Sequence, residues 1–145
     1  MFIGLTNFLI NEASIKAIIG TPTTRSDKTT GVFPQQASVD EPTLPFIAYM
    51  QAFGNGEAVM EGVDRLRYGR YRIACWGSTY LQAKNLANAV RLRLDGLRGT
   101  LSDNSVLQSS IYMTEADTTD DLPHGTMFGT HVDFDFCWED HSDGH

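Results

Sequence analysis

The sequence predicts an α+β fold, with two helices packed on one face of a mostly antiparallel sheet of about four to five strands. Three observations lead to this class. Residues 70–96 alternate like a strand and then change to helical spacing, residues 131–138 alternate between apolar and polar side chains, and residues 5–19 have helical spacing. The chain of 145 residues has the size of one domain, so we expect a single domain over 1–145.

The first predicted helix is followed by a long polar segment. Gly20 and the Thr21-Pro22 pair end this helix, and residues 20–45 are rich in Thr, Ser, Pro and Asp, with only Val32 and Phe33 able to form a short strand. A loop of this length in a small domain is either mobile or occupied by a partner. The apolar positions of the helix are Leu5, Phe8, Leu9, Ile15, Ile18 and Ile19.

Two strands are predicted in the middle of the chain. The apolar run FIAYMQAF, residues 46–53, suggests a strand covered on both faces by its own chain or by a neighbouring subunit. A Gly-rich connection, GNGEAVMEGVD at 54–64, leads to a second strand over 66–76. Alternation in this strand places Tyr71, Ile73 and Cys75 on one face and Arg70, Arg72 and Trp76 on the other.

The helix that follows has the strongest pattern in the chain. Thr79 and Gln82 fit a capping box at its start, and Gly96 or Gly99 is expected to end it. One apolar stripe faces the sheet and a polar stripe lies opposite. The apolar stripe is Ala83, Leu86, Ala87, Val90, Leu94 and Leu97, and the polar residues include Gln82, Lys84, Asn88, Arg91 and Asp95.

The C-terminal third predicts two more strands. Residues 107–113 alternate, with Leu107, Ser109, Ile111 and Met113 sharing one face, and the acidic segment EADTTDD at 115–121 is expected to form a turn. The last strand, 131–138, places apolar residues inward and polar residues outward. The inward set is Val132, Phe134, Phe136 and Trp138, the outward set is Asp133, Asp135 and Cys137, and residues 139–145 are expected to form a flexible acidic tail.

Charge is distributed unevenly along the chain, which has a net charge of −7. Eight of the eleven basic residues lie between Arg65 and Arg98, whereas residues 115–145 hold nine acids and neither Lys nor Arg. A basic face for nucleic acid is one explanation. Pairing between neighbouring strands or subunits is favoured, because a duplex binder usually carries an excess of positive charge.

No motif predicts an enzyme, so we expect no catalytic residues, no metal and no cofactor. His131 and Asp133 lie two apart on a strand and therefore share a face, yet with His124, Asp135 and His141 they form no recognised metal-ligand spacing. Nucleophile, phosphate-loop and HExxH motifs do not occur in the sequence. We also expect no signal peptide and no membrane span at the N-terminus.

Strand parity gives two further predictions. Cys75 and Cys137 fall on opposite faces and should not form a disulfide. Arg70 and Arg72 fall opposite Asp133 and Asp135 if their strands are adjacent, which predicts a cross-strand ladder of ion pairs. An alternative hypothesis places this same face in a subunit interface. Trp76 and Tyr80 are interpreted as packing residues rather than as a stacking platform for bases.

The order of motifs resembles the tail-completion, or tail-terminator, proteins of long-tailed phages and of gene transfer agents. The segments that carry the resemblance are GVFPQQ (31–36), LPFIAY (44–49), residues 70–96 and VDFDFCW (132–138). The family has a strand R-x-x-I-x-x-W/Y-A, a helix T-Y-x-x-A-x-x-L-A-x-x-V-R and a closing strand D-F-x-x-W. Residues that match are Arg70 or Arg72, Ile73, Trp76, Thr79, Tyr80, Ala83, Leu86, Ala87, Val90, Arg91, Asp135, Phe136 and Trp138. The resemblance covers about residues 30–138, and Gly77 replaces the expected alanine.

The resemblance implies a structural virion protein that caps the tail tube as a ring, typically a hexamer, ends tail elongation and forms the surface that joins the head. Its partners would be copies of itself, the tail tube protein and a connector or neck protein, while DNA passes through the channel without being read. It would be made in the host cytoplasm and lie at the head-proximal end of the tail. The candidate interface with a neighbouring subunit or the tube comprises Gly54, Asn55, Gly56, Glu57, Met60, Glu61, Arg70, Arg72, Asp133 and Asp135.

Two alternatives remain open from the sequence. A neck or baseplate adaptor of the same particle is one of them. The other belongs to a different class, a small metal-dependent hydrolase that would use His131, Asp133 and His141.

Overall fold

The computed structural model describes residues 2–34, 43–58, 65–122 and 125–139, and in these ranges the chain forms three helices and six strands. The helices are α1 (Phe2–Asn11), α2 (Ala13–Ile19) and α3 (Tyr80–Leu94). The strands are β1 (Val32–Pro34), β2 (Phe46–Ala58), β3 (Arg65–Gly77), β4 (Gly99–Thr100), β5 (Val106–Leu122) and β6 (Gly125–Glu139). None of the described helices is long and apolar enough to cross a membrane.

The strands form one mixed sheet in the order β1-β2-β3-β6-β5-β4. β1 is parallel to β2, and the other neighbouring strands are antiparallel. The α+β class is therefore as predicted, but the described residues contain six strands rather than four to five and three helices rather than two. β1 is the short strand that the sequence allowed at Val32 and Phe33, whereas β4, only two residues long, was not predicted. The first predicted helix divides at Glu12, whose ψ of 120° is extended.

The sheet has two faces that differ in what covers them. On the inner face, side chains of β2, β3 and β6 pack against all three described helices in one core. The outer face carries the alternate residues of the same strands, and none of the described helices packs on it. Residues with the smallest exposure on the inner face include Ile47, Ile73, Cys75, Val132 and Phe134. The predicted inward and outward sets of β3 and β6 are confirmed, and the two cysteines are free.

Helix α3 covers the inner face with the predicted stripe except for Leu97, which lies beyond the helix end at Leu94 and packs against the core from there. Ala83, Leu86, Ala87, Val90 and Leu94 are all buried. At its start the Thr79 hydroxyl accepts a hydrogen bond from Gln82 N at 3.1 Å, and the Gln82 side chain accepts one from Ser78 N at 2.8 Å. The Gln82 side chain of the predicted capping box therefore binds the N–H of Ser78 instead of that of Thr79, one residue further toward the N-terminus. Gly96, with φ of 79°, follows the helix end, and its N–H donates to Ser110 O at 2.7 Å.

Two predicted connections are wrong because the strands are longer than expected. The acidic segment 115–121 is part of β5, where Glu115 pairs with Val132 and Asp121 pairs with Thr126. Threonines within it favour strand, and charge is well tolerated along a sheet edge. Gly54–Ala58 likewise belongs to β2 and pairs with Arg65–Gly69. Residues 59–64 and 140–145 lie outside the described residues.

The described part of the 20–45 segment is organised around a buried arginine. Arg25 is 3% exposed and donates to the carbonyl oxygens of Ile19, Pro45 and Thr43 at 2.9, 2.5 and 2.5 Å. It also forms an ion pair with Asp27 at 3.0 Å. Asp27 in turn accepts hydrogen bonds from the backbone N–H groups of Thr29 and Thr43. These bonds tie the end of α2 to the start of β2.

Candidate assembly surface

The predicted ladder of ion pairs lies at the centre of the outer face. β3 and β6 pair Arg70 with Asp135 and Arg72 with Asp133. Each guanidinium contacts its carboxylate through two nitrogens, at 2.7 and 3.1 Å for Arg70 and at 3.0 and 3.2 Å for Arg72. Hydrogen bonding to the carboxylate raises the pKa of each arginine further. The cross-strand ladder inferred from strand parity is therefore confirmed.

The two arginines and two aspartates of the ladder neutralise each other's charge, and this limits which ligands the face can bind. Both Asp133 oxygens accept from Arg72, and Thr114 Oγ1 lies 3.3 Å from one of them. The arginines are engaged by carboxylates instead of being open to phosphate, and the carboxylates are engaged by arginines instead of being open to a metal. The ladder is thus better suited to packing against a neutral surface than to binding an ion.

The proposed metal ligands are not assembled by the described residues. His131 lies next to Asp133 on the outer face, with its ring edge-on to Trp76 at 6.3 Å between centroids. Burial and the nearby Arg72 lower the pKa of His131, against an opposing effect of Asp133. His124 and His141 lie outside the described residues. Within the described ranges, no group of three or more His, Cys, Asp or Glu side chains could hold a metal ion.

Exposed apolar side chains surround the ladder. Met50 of β2 lies opposite Arg72, Tyr68 of β3 lies opposite Cys137, and Ile111 of β5 lies opposite Asp135. Met113 sits at a β5 irregularity beside Thr114, which pairs with Asp133. Their exposed fractions run from 41% for Tyr68 and Met113 to 53% for Ile111. Sequence alternation placed Ile111 on the same face as the buried Leu107, but a register shift between Leu107 and Ser109 moves it to the outer face.

The opposite end of the outer face holds a small closed cluster. Phe33, Phe46, Ala48 and Met127 are buried there with Leu44 and Trp76 packed against them. The rings of Phe46 and Trp76 stack at 6.5 Å. Gly129 lies beneath the indole, and a Cβ at this position would come within 2.8 Å of the ring. This arrangement agrees with the interpretation of Trp76 as a packing residue.

The other charged residues also pair inside the chain. Lys84 Nζ lies 2.8 Å from Glu115 and 2.7 Å from Asp117 on β5. These carboxylates raise the pKa of Lys84. Tyr80, interpreted from the sequence as a packing residue, is 52% exposed, and its hydroxyl donates to Asp117 at 3.1 Å. Lys84 was predicted to lie on the polar face of α3, and the structure shows that it bridges the helix to the acidic strand. Ion pairs between α3 and β5 thus neutralise part of the charge that is unevenly distributed along the chain.

The remaining predicted interface residues lie near one end of the sheet. The β2–β3 register sets Gly54 opposite Gly69 and Glu57 opposite Leu66, with Asn55 and Gly56 between them. Their backbone therefore continues the sheet beyond the Arg70 row of the ladder. Met60 and Glu61 lie outside the described residues.

Comparisons with known proteins bear on the fold. A scan of protein-family models gives no match for this sequence, and no curated protein matches it. Among the solved structures that match is a chain described as "Virion of native gene transfer agent (GTA) particle". The likeness covers 95% of this chain and 95% of that chain, with a TM-score of 0.62 and 15% sequence identity. At this identity the likeness shows the fold, so this chain shares its fold with a component of that particle.

Proposed function

We propose that this chain is a structural virion protein that caps the tail tube as a ring, ends tail elongation and forms the surface to which the head joins. The observation that carries the proposal is the shared fold with a component of a gene transfer agent virion over 95% of both chains. The motif order in residues 31–138 independently resembles the tail-completion family of the same kind of particle. Fold alone does not determine function, so the arrangement of the outer face matters as well.

The geometry of the outer face supports assembly over catalysis. A metal-dependent hydrolase would need the Asp133 carboxylate, which Arg72 holds through two hydrogen bonds. The face presents instead a neutral ladder ringed by Met50, Tyr68 and Ile111. Methionine, aromatic residues and arginine are enriched at protein interfaces. We therefore assign Arg70, Arg72, Asp133 and Asp135, with Gly54, Asn55, Gly56, Glu57, Met60 and Glu61, to the contact with a neighbouring subunit or the tube.

The proposal also assigns partners. Copies of this chain would form a ring, which the family resemblance makes a hexamer, on the tail tube protein and under a connector or neck protein. Asp120 and Asp121 are exposed at one end of the sheet. Acidic side chains that lined the channel would repel phosphates and leave passing DNA unbound.

Removal of the gene from a producing strain tests this function. We expect tails of uncontrolled length that fail to join heads, measured by electron microscopy of lysates. Complementation with the wild-type chain, and with the exposed-loop variant Thr23→Lys as a matched control, should restore normal particles. Tails of normal length that fail to join heads would indicate a neck adaptor instead, and normal particles would contradict any tail-completion role.

The assignment of Met60 and Glu61 has its own test. Ala58 and Arg65 are paired residues, so replacing residues 59–64 with Asn-Gly closes a two-residue hairpin there. We expect a folded chain, by circular dichroism, that fails to complete tails. Normal particles from this variant would remove Met60 and Glu61 from the interface without affecting the rest of the proposal.

A further inference from the structure

We propose that neighbouring copies join head to tail, with the exposed face of α3 in one copy lying on the outer sheet face of the next. This inference rests on the proposed ring and names the two surfaces that build it. The folded chain leaves several large hydrophobic side chains exposed. Among the described residues, these are Met50, Tyr68, Tyr80, Leu81, Leu92, Ile111 and Met113.

Within the described ranges, these exposed hydrophobics fall on two surfaces. Met50, Tyr68, Ile111 and Met113 belong to the outer sheet face around the ion-pair ladder. The other three lie on α3, where Leu81 and Leu92 are the most exposed, at 68% and 64%. The outer-face residues cluster around the ladder, and clustered exposed apolar side chains mark an interaction site. Leu81 and Leu92 share one face of α3 near its two ends, roughly 16 Å apart at about 1.5 Å per residue.

The α3 surface is a straight, uncharged stripe. With 3.6 residues per turn, Leu81, Asn85, Asn88 and Leu92 align on one side of the helix, and all four are exposed. The buried stripe centred on Val90 lies on the opposite side, so the exposed stripe points directly away from the chain's own sheet. Beside it, a groove of about 330 Å³ between α2 and α3 is lined by Ile18, Ala89 and Leu92 and by the polar residues Ser14, Asn85, Asn88 and Arg93. The Arg93 guanidinium pairs with Glu12 at 3.2 Å.

The two surfaces match in charge. The stripe on α3 contains only leucine and asparagine, and the sheet surface contains two arginines that are each neutralised by an aspartate. The chain as a whole carries a net charge of −7, and contacts that set unpaired acidic groups against each other would oppose association. Contact between two neutral surfaces brings copies together without opposing unpaired charges. The groove beside Leu92 also provides a recess for a projecting side chain such as Met50 or Ile111.

The positions of the surfaces determine the symmetry. α3 lies on the inner side of the sheet, and its exposed stripe and the outer face point in opposite directions. A two-fold contact would pair one surface with itself and leave the other bare. A head-to-tail contact uses both surfaces in every copy, and such contacts close into a ring when the rotation between neighbours allows it. A ring of identical subunits is the assembly that the proposed function requires.

Cysteine cross-linking in assembled particles tests the contact. In a Cys137→Ser background, Leu92→Cys and Ile111→Cys are introduced separately and together, and virions assembled with each variant are treated with a short bis-maleimide. We expect the double variant to be linked into a ladder of multimers ending at the closed ring. Each single variant should stay at the monomer mass. A matched double variant with Thr23→Cys in place of Leu92→Cys should lose the ladder.

The possible results separate the contact from the function. Linked dimers from either single variant, Leu92→Cys or Ile111→Cys, would overturn the head-to-tail contact in favour of a two-fold one. A second result would overturn the contact but not the proposed ring. In it, native mass spectrometry shows a closed multimer in particles of the double variant, but no links form between positions 92 and 111. Absence of the wild-type chain from particles would overturn the proposed function itself.

Discussion

The inner and outer faces of the sheet are built by alternate residues of the same strands, yet they have different compositions. In β3, Ile73 and Cys75 are fully buried under the helices, whereas Arg70 and Arg72 form the ladder on the other side. In β6, Phe134 and Phe136 are buried and Asp133 and Asp135 lie outward. The inner face stabilises the fold. The outer face is the one that we propose is covered in the assembled particle, and substitutions on the two faces should have different consequences.

The largest effect is expected from a charge on the inner side. Leu86 is fully buried, and Leu86→Asp would bury a carboxylate without a partner at a cost of several kcal/mol. That approaches the whole stability of a small domain, about 5–15 kcal/mol. We expect an unfolded chain by circular dichroism, whereas Asn88→Asp on the exposed stripe should shift the melting temperature only slightly. Similar shifts for both variants would show that the helix face is misassigned.

Arginine substitutions should distinguish the buried Arg25–Asp27 ion pair from the more exposed ladder. Arg25→Met removes the donor to three backbone carbonyls and the cation that pairs with the buried Asp27 carboxylate, which should cost about 3–5 kcal/mol. Arg70→Met, on the outer face, should cost no more than about 1 kcal/mol because Arg70 and its partner Asp135 are both partly exposed, at 33% and 39%. Urea denaturation of both variants measures the difference. Equal losses of unfolding free energy in the two variants would mean that the two ion pairs have equivalent environments, which would contradict the structure.

Acid should weaken the same buried pair. Burial acts to raise the pKa of Asp27, but hydrogen bonds from Arg25, Thr43 and Thr29 outweigh it and hold the pKa well below its usual range. The folded pKa is thus lower than the unfolded one of about 3.9. The stabilisation is complete above that value and is lost as the pH falls below it. Urea midpoints between about pH 5 and pH 2 should fall more steeply for wild type than for Asp27→Asn. If the urea midpoints of the two proteins changed with pH in parallel, the lowered pKa of Asp27 in the folded chain would be contradicted.

The smallest effect belongs to the ladder. Arg70 and Asp135 are each about one-third exposed, at 33% and 39%, so solvent screens their attraction. A double-mutant cycle with Arg70→Gln and Asp135→Asn should give a coupling of about 0.2–1 kcal/mol in the free chain, and salt should reduce it. A coupling of several kcal/mol would mean that the ladder stabilises the fold itself, and the distinction between the two faces would weaken.

Sequence reasoning worked where a periodic pattern extended over a whole element. The α3 stripe and the alternation of β6 identified the inner core, and strand parity paired Arg70 and Arg72 with their aspartates. It failed where non-local geometry decides. The register shift in β5 moves Ile111 to the outer face, and the local pattern contains no signal for it. The partners of Arg25 are mainly backbone carbonyls on distant segments, which leave no side-chain pattern to read.

Accessibility of the two native cysteines tests the central claim most directly, since it needs no substitution. Cys137 lies on the outer face with intermediate exposure, and Cys75 is buried on the inner face, where burial raises the pKa of its thiol. In the dilute free chain we expect a thiol reagent to label Cys137 and not Cys75. In assembled virions the account predicts that Cys137 becomes protected, because a neighbouring copy covers the outer face. Equal labelling rates of Cys137 in the free chain and in the virion would contradict the claim that this face is an assembly surface.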